Sequence, residues 1–241
     1  MILNKFRPVT SHAIGLVLLV SGLFSCNKTS NSNINRTFLA VTHVAYGVGP
    51  VNLSVGGKTL LPGPLSLGQT SGIPGNPYDT ATPGIQDLNI FLQQDLSSLL
   101  NGNAAFQAGN HFSMFFYDSL TSNRLIIFQD NPIAGTDSSS PIRYLNFSPG
   151  TNMGLLLTNA KDTVKIGPGE WIGYNPQPAS YGFILVPTGS FGVYAFMDST
   201  YLKAIDSLRI DSAKVYNIFL QGFKDSNLGT DSLKLQSVRL N

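Results

Sequence analysis

Only one cysteine (Cys26), one tryptophan (Trp171) and one glutamate (Glu170) occur among the 241 residues. A lone thiol excludes an intramolecular disulfide and a thiolate-rich zinc site, so stability has to come from apolar burial. A lone glutamate leaves a paired-carboxylate hydrolase to draw on aspartates. Most of those sit in turn-like contexts, where the side chain caps the local backbone. Charged residues make up 12% of the chain, with no long Lys or Arg run to neutralise phosphates, so no nucleic-acid partner is expected. The chain has no Gly-x-Ser-x-Gly elbow, phosphate loop or Gly-x-Gly-x-x-Gly motif. His43 and His111 have no metal-ligand spacing around them, and His43 near a strand end suits a hydrogen bond to a neighbouring turn. The expectation is a non-enzymatic protein with no cofactor and no metal.

The longest apolar stretch, residues 13–24, follows Lys5 and Arg7 and ends at Ser25-Cys26. At 1.5 Å per residue it reaches about 18 Å, short of the ~30 Å hydrocarbon core, so it reads as a secretory signal and not a membrane span. Leu23-Phe24-Ser25-Cys26 resembles a bacterial lipoprotein signal. The resemblance implies that residues 1–25 are removed and that Cys26 carries three acyl chains, where two or more suffice for stable anchoring. Loss of Lys5 and Arg7 takes the 15 basic residues to 13, equal to the 13 acidic ones, so the remaining charge is near zero and attachment to the membrane rests on the lipid. Asn27 is unlike an inner-membrane retention signal, which favours the outer membrane. The face on which the protein sits is left open. Residues 26–36, the lipidated cysteine and a polar segment without periodicity, read as a flexible tether.

Beyond Thr37, short apolar or alternating runs are separated by Gly, Pro, Asn and Asp clusters, the signature of an all-β chain. The chain also repeats itself. His43-Val44-Ala45-Tyr46-Gly47 aligns with Asn146-Phe147-Ser148-Pro149-Gly150, Thr82-Pro83-Gly84 with Pro187-Thr188-Gly189, and His111–Phe116 with Val215–Leu220, at offsets of 103, 105 and 104. Residues 132–141, rich in Pro, Gly and Ser, read as a linker between repeat 1 (37–131) and repeat 2 (142–241). Each repeat offers about seven strands, near the number a two-sheet sandwich needs. Near the C-terminus, Leu233 and Leu235 share one phase while Val238 and Leu240 share the other. A strand period of two then predicts a bulge near Gln236-Ser237 or a strand that changes sheets.

These blocks resemble the domain of unknown function 4397 family, a bacterial extracytoplasmic β-sandwich module. Its opening pattern is roughly Val-His-Ala-Ser-Pro, followed by a central Pro-x-Gly before a strand. Repeat 1 keeps His43 and Ala45 with Tyr46-Gly47 in place of Ser-Pro. Repeat 2 keeps Ser148-Pro149 with Asn146 in place of His. The resemblance implies two tandem Ig-like/transthyretin-like antiparallel β-sandwiches, and it brings no catalytic residues with it.

Residues 167–182 gather Glu170, Trp171, Tyr174 and Tyr181 among turn formers. Aromatic faces beside a carboxylate suit a sugar ring and its hydroxyls, which makes this a candidate ligand loop. The plainer reading places Trp171 and Tyr174 on a strand filling the core. Their three-residue separation would then put them on opposite faces. Asp followed by Ser or Thr and a small or apolar residue recurs, as in Asp79-Thr80-Ala81 and Asp162-Thr163-Val164. It resembles a periplasmic O-glycosylation acceptor, although turn initiation in a β protein is the favoured reading of the same pairs. The expected protein is thus a lipid-anchored envelope module for binding, adhesion or structure, with the membrane as partner through Cys26. A glycan or an envelope protein is the expected ligand. The alternative is a glycan-binding accessory of an outer-membrane uptake complex.

Overall fold

The computed structural model describes residues 35–119, 122–173, 176–198, 200–224 and 232–241, with only the backbone described for 200–206. Cys26 and Tyr174 lie outside the described residues. The compact unit spans Asn33–Asn241.

The described residues form sixteen strands and one 3-10 turn, with no α-helix. Repeat 1 contains β1 (Thr37–His43), β2 (Val51–Val55), β3 (Lys58–Thr59), β4 (Asp79–Ala81), β5 (Gly84–Leu92), β6 (Ser98–Phe106), β7 (His111–Tyr117) and β8 (Arg124–Gln129). Repeat 2 contains β9 (Ser139–Asn146), β10 (Met153–Thr158), β11 (Thr163–Gly169), β12 (Ile184–Pro187), β13 (Gly189–Met197), β14 (Thr200–Ile210), β15 (Tyr216–Gln221) and β16 (Lys234–Arg239). Each repeat therefore has eight strands, one more than expected. β9 begins at Ser139, inside the stretch read as linker, because Ser139, Ser140 and Pro141 pair with Pro187, Val186 and Leu185 of β12.

The sheets of repeat 1 run β4-β1-β7-β8 and β3-β2-β5-β6. Those of repeat 2 run β12-β9-β15-β16 and β11-β10-β13-β14, the same order eight strands later. The ladders are antiparallel except for β1 with β7 and β9 with β15, which are parallel. His43 pairs with Phe116 and Asn146 with Leu220, so the alignment of the two sequence copies is also an alignment of register.

Within each repeat, alternate residues of the two sheets interdigitate. Leu39, Val41, Phe112, Met114 and Phe116 meet Leu53, Val55, Leu88 and Ile90 in the first sandwich. Ile142, Tyr216, Ile218 and Leu220 meet Leu155, Leu157, Val193 and Ala195 in the second. A third core lies between the repeats. Val44, Phe115, Tyr117, Ile126 and Phe128 pack against Leu145, Phe147, Ile172 and Phe219. The sheets β4-β1-β7-β8 and β12-β9-β15-β16 thus stack by the faces turned away from their own sandwiches, giving four layers in all. Phe115 and Phe219 occupy equivalent positions and touch across this interface, with ring centroids 5.6 Å apart. Ser113 and Asn217 are also equivalent, and the Asn217 amide donates to the Ser113 hydroxyl at 2.9 Å. Like faces meeting like residues make this an internal counterpart of a two-fold dimer interface.

Burial on both faces explains the phase change near the C-terminus without the expected bulge. β16 pairs in unbroken register with β15, from Tyr216 opposite Arg239 to Gln221 opposite Lys234. Leu235 enters the second sandwich core, whereas Val238 packs toward the inter-repeat core and Leu240 joins Phe183 and Val215. A strand covered on both faces buries residues of both phases without any break in its period.

Candidate functional site

The long connections between β3 and β4 (residues 60–78) and between β11 and β12 (residues 170–183) are equivalent in the repeat, and each crosses onto the other repeat. Residues 170–183 reach the β7-β8 edge of repeat 1. The Ile172 N–H donates to the Asn146 carbonyl at 2.8 Å, and the Tyr117 hydroxyl donates to the Gly173 carbonyl at 3.1 Å. Ile172 is fully buried in the inter-repeat core. β11 stops at Gly169, after Gly167-Pro168, where proline supplies no ladder N–H. Trp171 is therefore not on a regular strand and forms an isolated parallel bridge with Asn146. That corrects the expectation of a continuous strand carrying it.

Of the candidate ligand residues, Glu170 is exposed, while Trp171 and Tyr181 are half-buried. The Tyr181 ring meets Phe128 edge-on at 5.8 Å. Partial burial, with the Glu170 carboxylate nearby, holds its hydroxyl above the usual tyrosine range. Tyr181, Gln129, Asn131 and Phe183 line a cavity of about 400 Å³ between the repeats.

His43 is fully buried, and its role is structural. Its Nδ1 accepts from the Ala45 N–H at 3.2 Å, which leaves Nε2–H to donate to the Gly49 carbonyl at 3.3 Å. Asn146 does the same work in repeat 2. Its Oδ1 accepts from the Ser148 N–H at 3.0 Å and its amide donates to the Thr151 carbonyl at 2.9 Å. Burial pushes the His43 pKa down to about 4, from 6.5. The unfolded chain then binds the extra proton between those values, so stability is full above pH 6.5 and falls as pH drops toward 4, by roughly 3 kcal/mol at the limit. His43→Asn is expected to keep the turn and remove most of this acid sensitivity. His43→Ala leaves the Ala45 N–H unsatisfied and is expected to lose about 1–3 kcal/mol. Thermal melts at neutral and mildly acidic pH check both outcomes.

His111 stacks on Phe38, with ring centroids 4.4 Å apart, and meets Tyr78 edge-on at 4.7 Å. Partial burial lowers its pKa against the pull of Asp130. Among the described residues no group of three or more His, Cys, Asp or Glu is placed to hold a metal. No described helix is long and apolar enough to cross a membrane.

Asp130, at the end of β8, organises the polar part of the inter-repeat layer. Its carboxylate accepts from Arg143 at 2.7 Å, Tyr78 at 2.8 Å and Ser113 at 2.7 Å. The Arg143 and Asp130 side chains are each 3% exposed. The guanidinium also donates to the Gln129 carbonyl at 3.1 Å and lies 4.1 Å from the Phe183 ring centroid. Burial and the adjacent carboxylate push the Tyr78 hydroxyl well up from its usual value. These groups hold the repeats together.

The larger concavity is a cleft of about 650 Å³ where residues 68–77 of repeat 1 face β16 and the end of β14. It is the quasi-equivalent of the cavity at Tyr181. β-ladder register equates Phe128 with Val238 and Gln129 with Arg239, and each pair lines its own space. Sequence reasoning missed this cleft. The clue was the Gly- and Pro-rich stretch Gly68–Pro77, which the repeat aligns with the 170–183 loop.

No family model matches the chain, and no curated protein matches it. Among solved structures, a Bacteroides eggerthii protein described as a "putative cell adhesion protein" aligns over 85% of this chain and 96% of its own, at 9% identity and a TM-score of 0.19. A likeness at that score carries no argument about this chain.

Proposed function

We propose that this is a lipid-anchored, non-enzymatic protein of the bacterial cell envelope, whose duplicated β body serves as a binding, adhesion or structural module. The carrying observation is the Leu23-Phe24-Ser25-Cys26 stretch, followed by a polar segment of sequence that runs to the start of β1 at Thr37. The buried titratable groups fit a non-catalytic reading. His43, Asp130 and Arg143 all engage turns, strands or the other repeat. Metabolic labelling with a palmitate analogue tests the proposal. The full chain should take up label, and Cys26→Ser should take up none. Equal labelling of both would overturn the anchor.

A second reading, a glycan-binding accessory of an outer-membrane uptake complex, draws on exposed Glu170 beside half-buried Tyr181 at the rim of its cavity. Binding on a glycan array, lost in Trp171→Ala, would favour it.

A further inference from the structure

The cleft at residues 68–77 lies against a sheet edge. β16 is the last strand of its sheet, bonded on one side to β15, and among the described residues its backbone makes no bond on the other side. Four consecutive β16 residues, Gln236, Ser237, Val238 and Arg239, line the cleft. Successive side chains of a strand point to opposite faces, so a space touching four in a row faces the strand's edge. In an antiparallel ladder, alternate residues of an edge strand direct their N–H and C=O groups outward, as a template for another strand.

The charge of the cleft restricts what can fill that template. Its charged lining is Arg209, Arg239 and Asp211, with the Tyr216 hydroxyl beside them accepting from the Asp211 N–H at 3.0 Å. Arg209 Nε lies 2.8 Å from one Asp211 oxygen and Arg239 3.6 Å from the other, so two guanidiniums share one carboxylate and one positive charge is left over. Both remain accessible, at 81% and 42% of their side-chain surface. The opposite wall comes close to Arg239 at Gly75. A Cβ on Gly75, which has φ of +84°, would lie 2.3 Å from the guanidinium. Ile73, 68% exposed on the same wall, supplies an apolar contact. Cations on an edge strand discourage pairing with neutral or basic strands and favour an acidic one.

We infer that the cleft captures an extended acidic peptide segment of a partner protein by strand addition to β16, with a peptide carboxylate held by Arg209 and Arg239. Main-chain bonds give the affinity and the guanidiniums the selectivity. The inference rests on the reading of this chain as a binding protein, and it names the site and the ligand chemistry. The space is within the range of known ligand sites.

Selection from a display library of random linear decapeptides against the detergent-solubilised full chain tests it. Enriched sequences should carry Asp or Glu, and an Arg209→Ala/Arg239→Ala double variant with an unchanged melting temperature should bind them about tenfold more weakly, the loss of one charge-assisted pair. N-methylation along a selected peptide should weaken binding at alternate residues. No enrichment, equal binding by the double variant, or indifference to N-methylation would each overturn the inference. Wild-type protein that binds glycans but no peptide would overturn it while leaving the binding-protein reading standing.

Discussion

Arg143→Ala is expected to destabilise the protein by about 3–5 kcal/mol, although the residue lies in neither sandwich core. The substitution leaves the Asp130 carboxylate buried with only the Tyr78 and Ser113 hydroxyls to satisfy it, and empties the space against Phe183. An uncompensated buried charge, more than the loss of attraction, dominates that figure. The double variant Arg143→Met/Asp130→Asn removes both charges at similar volume and is expected to fare better than Arg143→Ala alone. Chemical denaturation of the three proteins checks the order. An Arg143→Ala loss below about 1 kcal/mol would show that the pair behaves as an exposed one.

Phe115→Ala is expected to cost about 3–5 kcal/mol, as a buried Phe truncation does. Its 1% exposure is not the whole reason. The ring touches Phe128 of its own repeat, at a centroid distance of 6.0 Å, and Phe147 and Phe219 of the other, at 5.0 and 5.6 Å. Phe128 and Phe219 sit on paired strands, and the Phe147 N–H is bonded to the Leu220 carbonyl, so they cannot close the gap without moving whole sheets and the cavity term remains. Both repeats contribute walls to that cavity. A marginally stable body that loses this much is expected to show a lower midpoint for the entire chain and not for repeat 1 alone.

The all-β class and the duplication were legible because strand signals are local and the repeat preserves register. The offset from His43 to Asn146 is the one that places both residues at the same point of a parallel ladder. The four-layer stack was not legible. Phe38–Val44 alternates without declaring that both of its faces are covered, and the same ambiguity made the phase of Leu235 and Val238 look like a defect. What covers a sheet's second face depends on contacts more than a hundred residues apart, which periodicity does not encode. Turn chemistry was partly readable. His43 was expected to bond a turn, but the equivalence of an imidazole with the Asn146 amide emerges only from the hydrogen bonds. The aromatics of residues 167–182 suggest a ligand loop, and the geometry of the 170–183 connection shows an inter-repeat strap through Ile172 and Gly173. Its counterpart at 68–77 has no such residues and bounds the larger cleft.

The two repeats behave as one body through their stacked inner sheets. Residue-resolved hydrogen exchange of Phe115→Ala against the parent chain tests this most directly. In a single cooperative body, the slowest amides of β15 and β9 in repeat 2 lose protection by the same factor as those of β7 and β1 in repeat 1. Loss confined to residues 37–131, with β9 and β15 as protected as before, would contradict it.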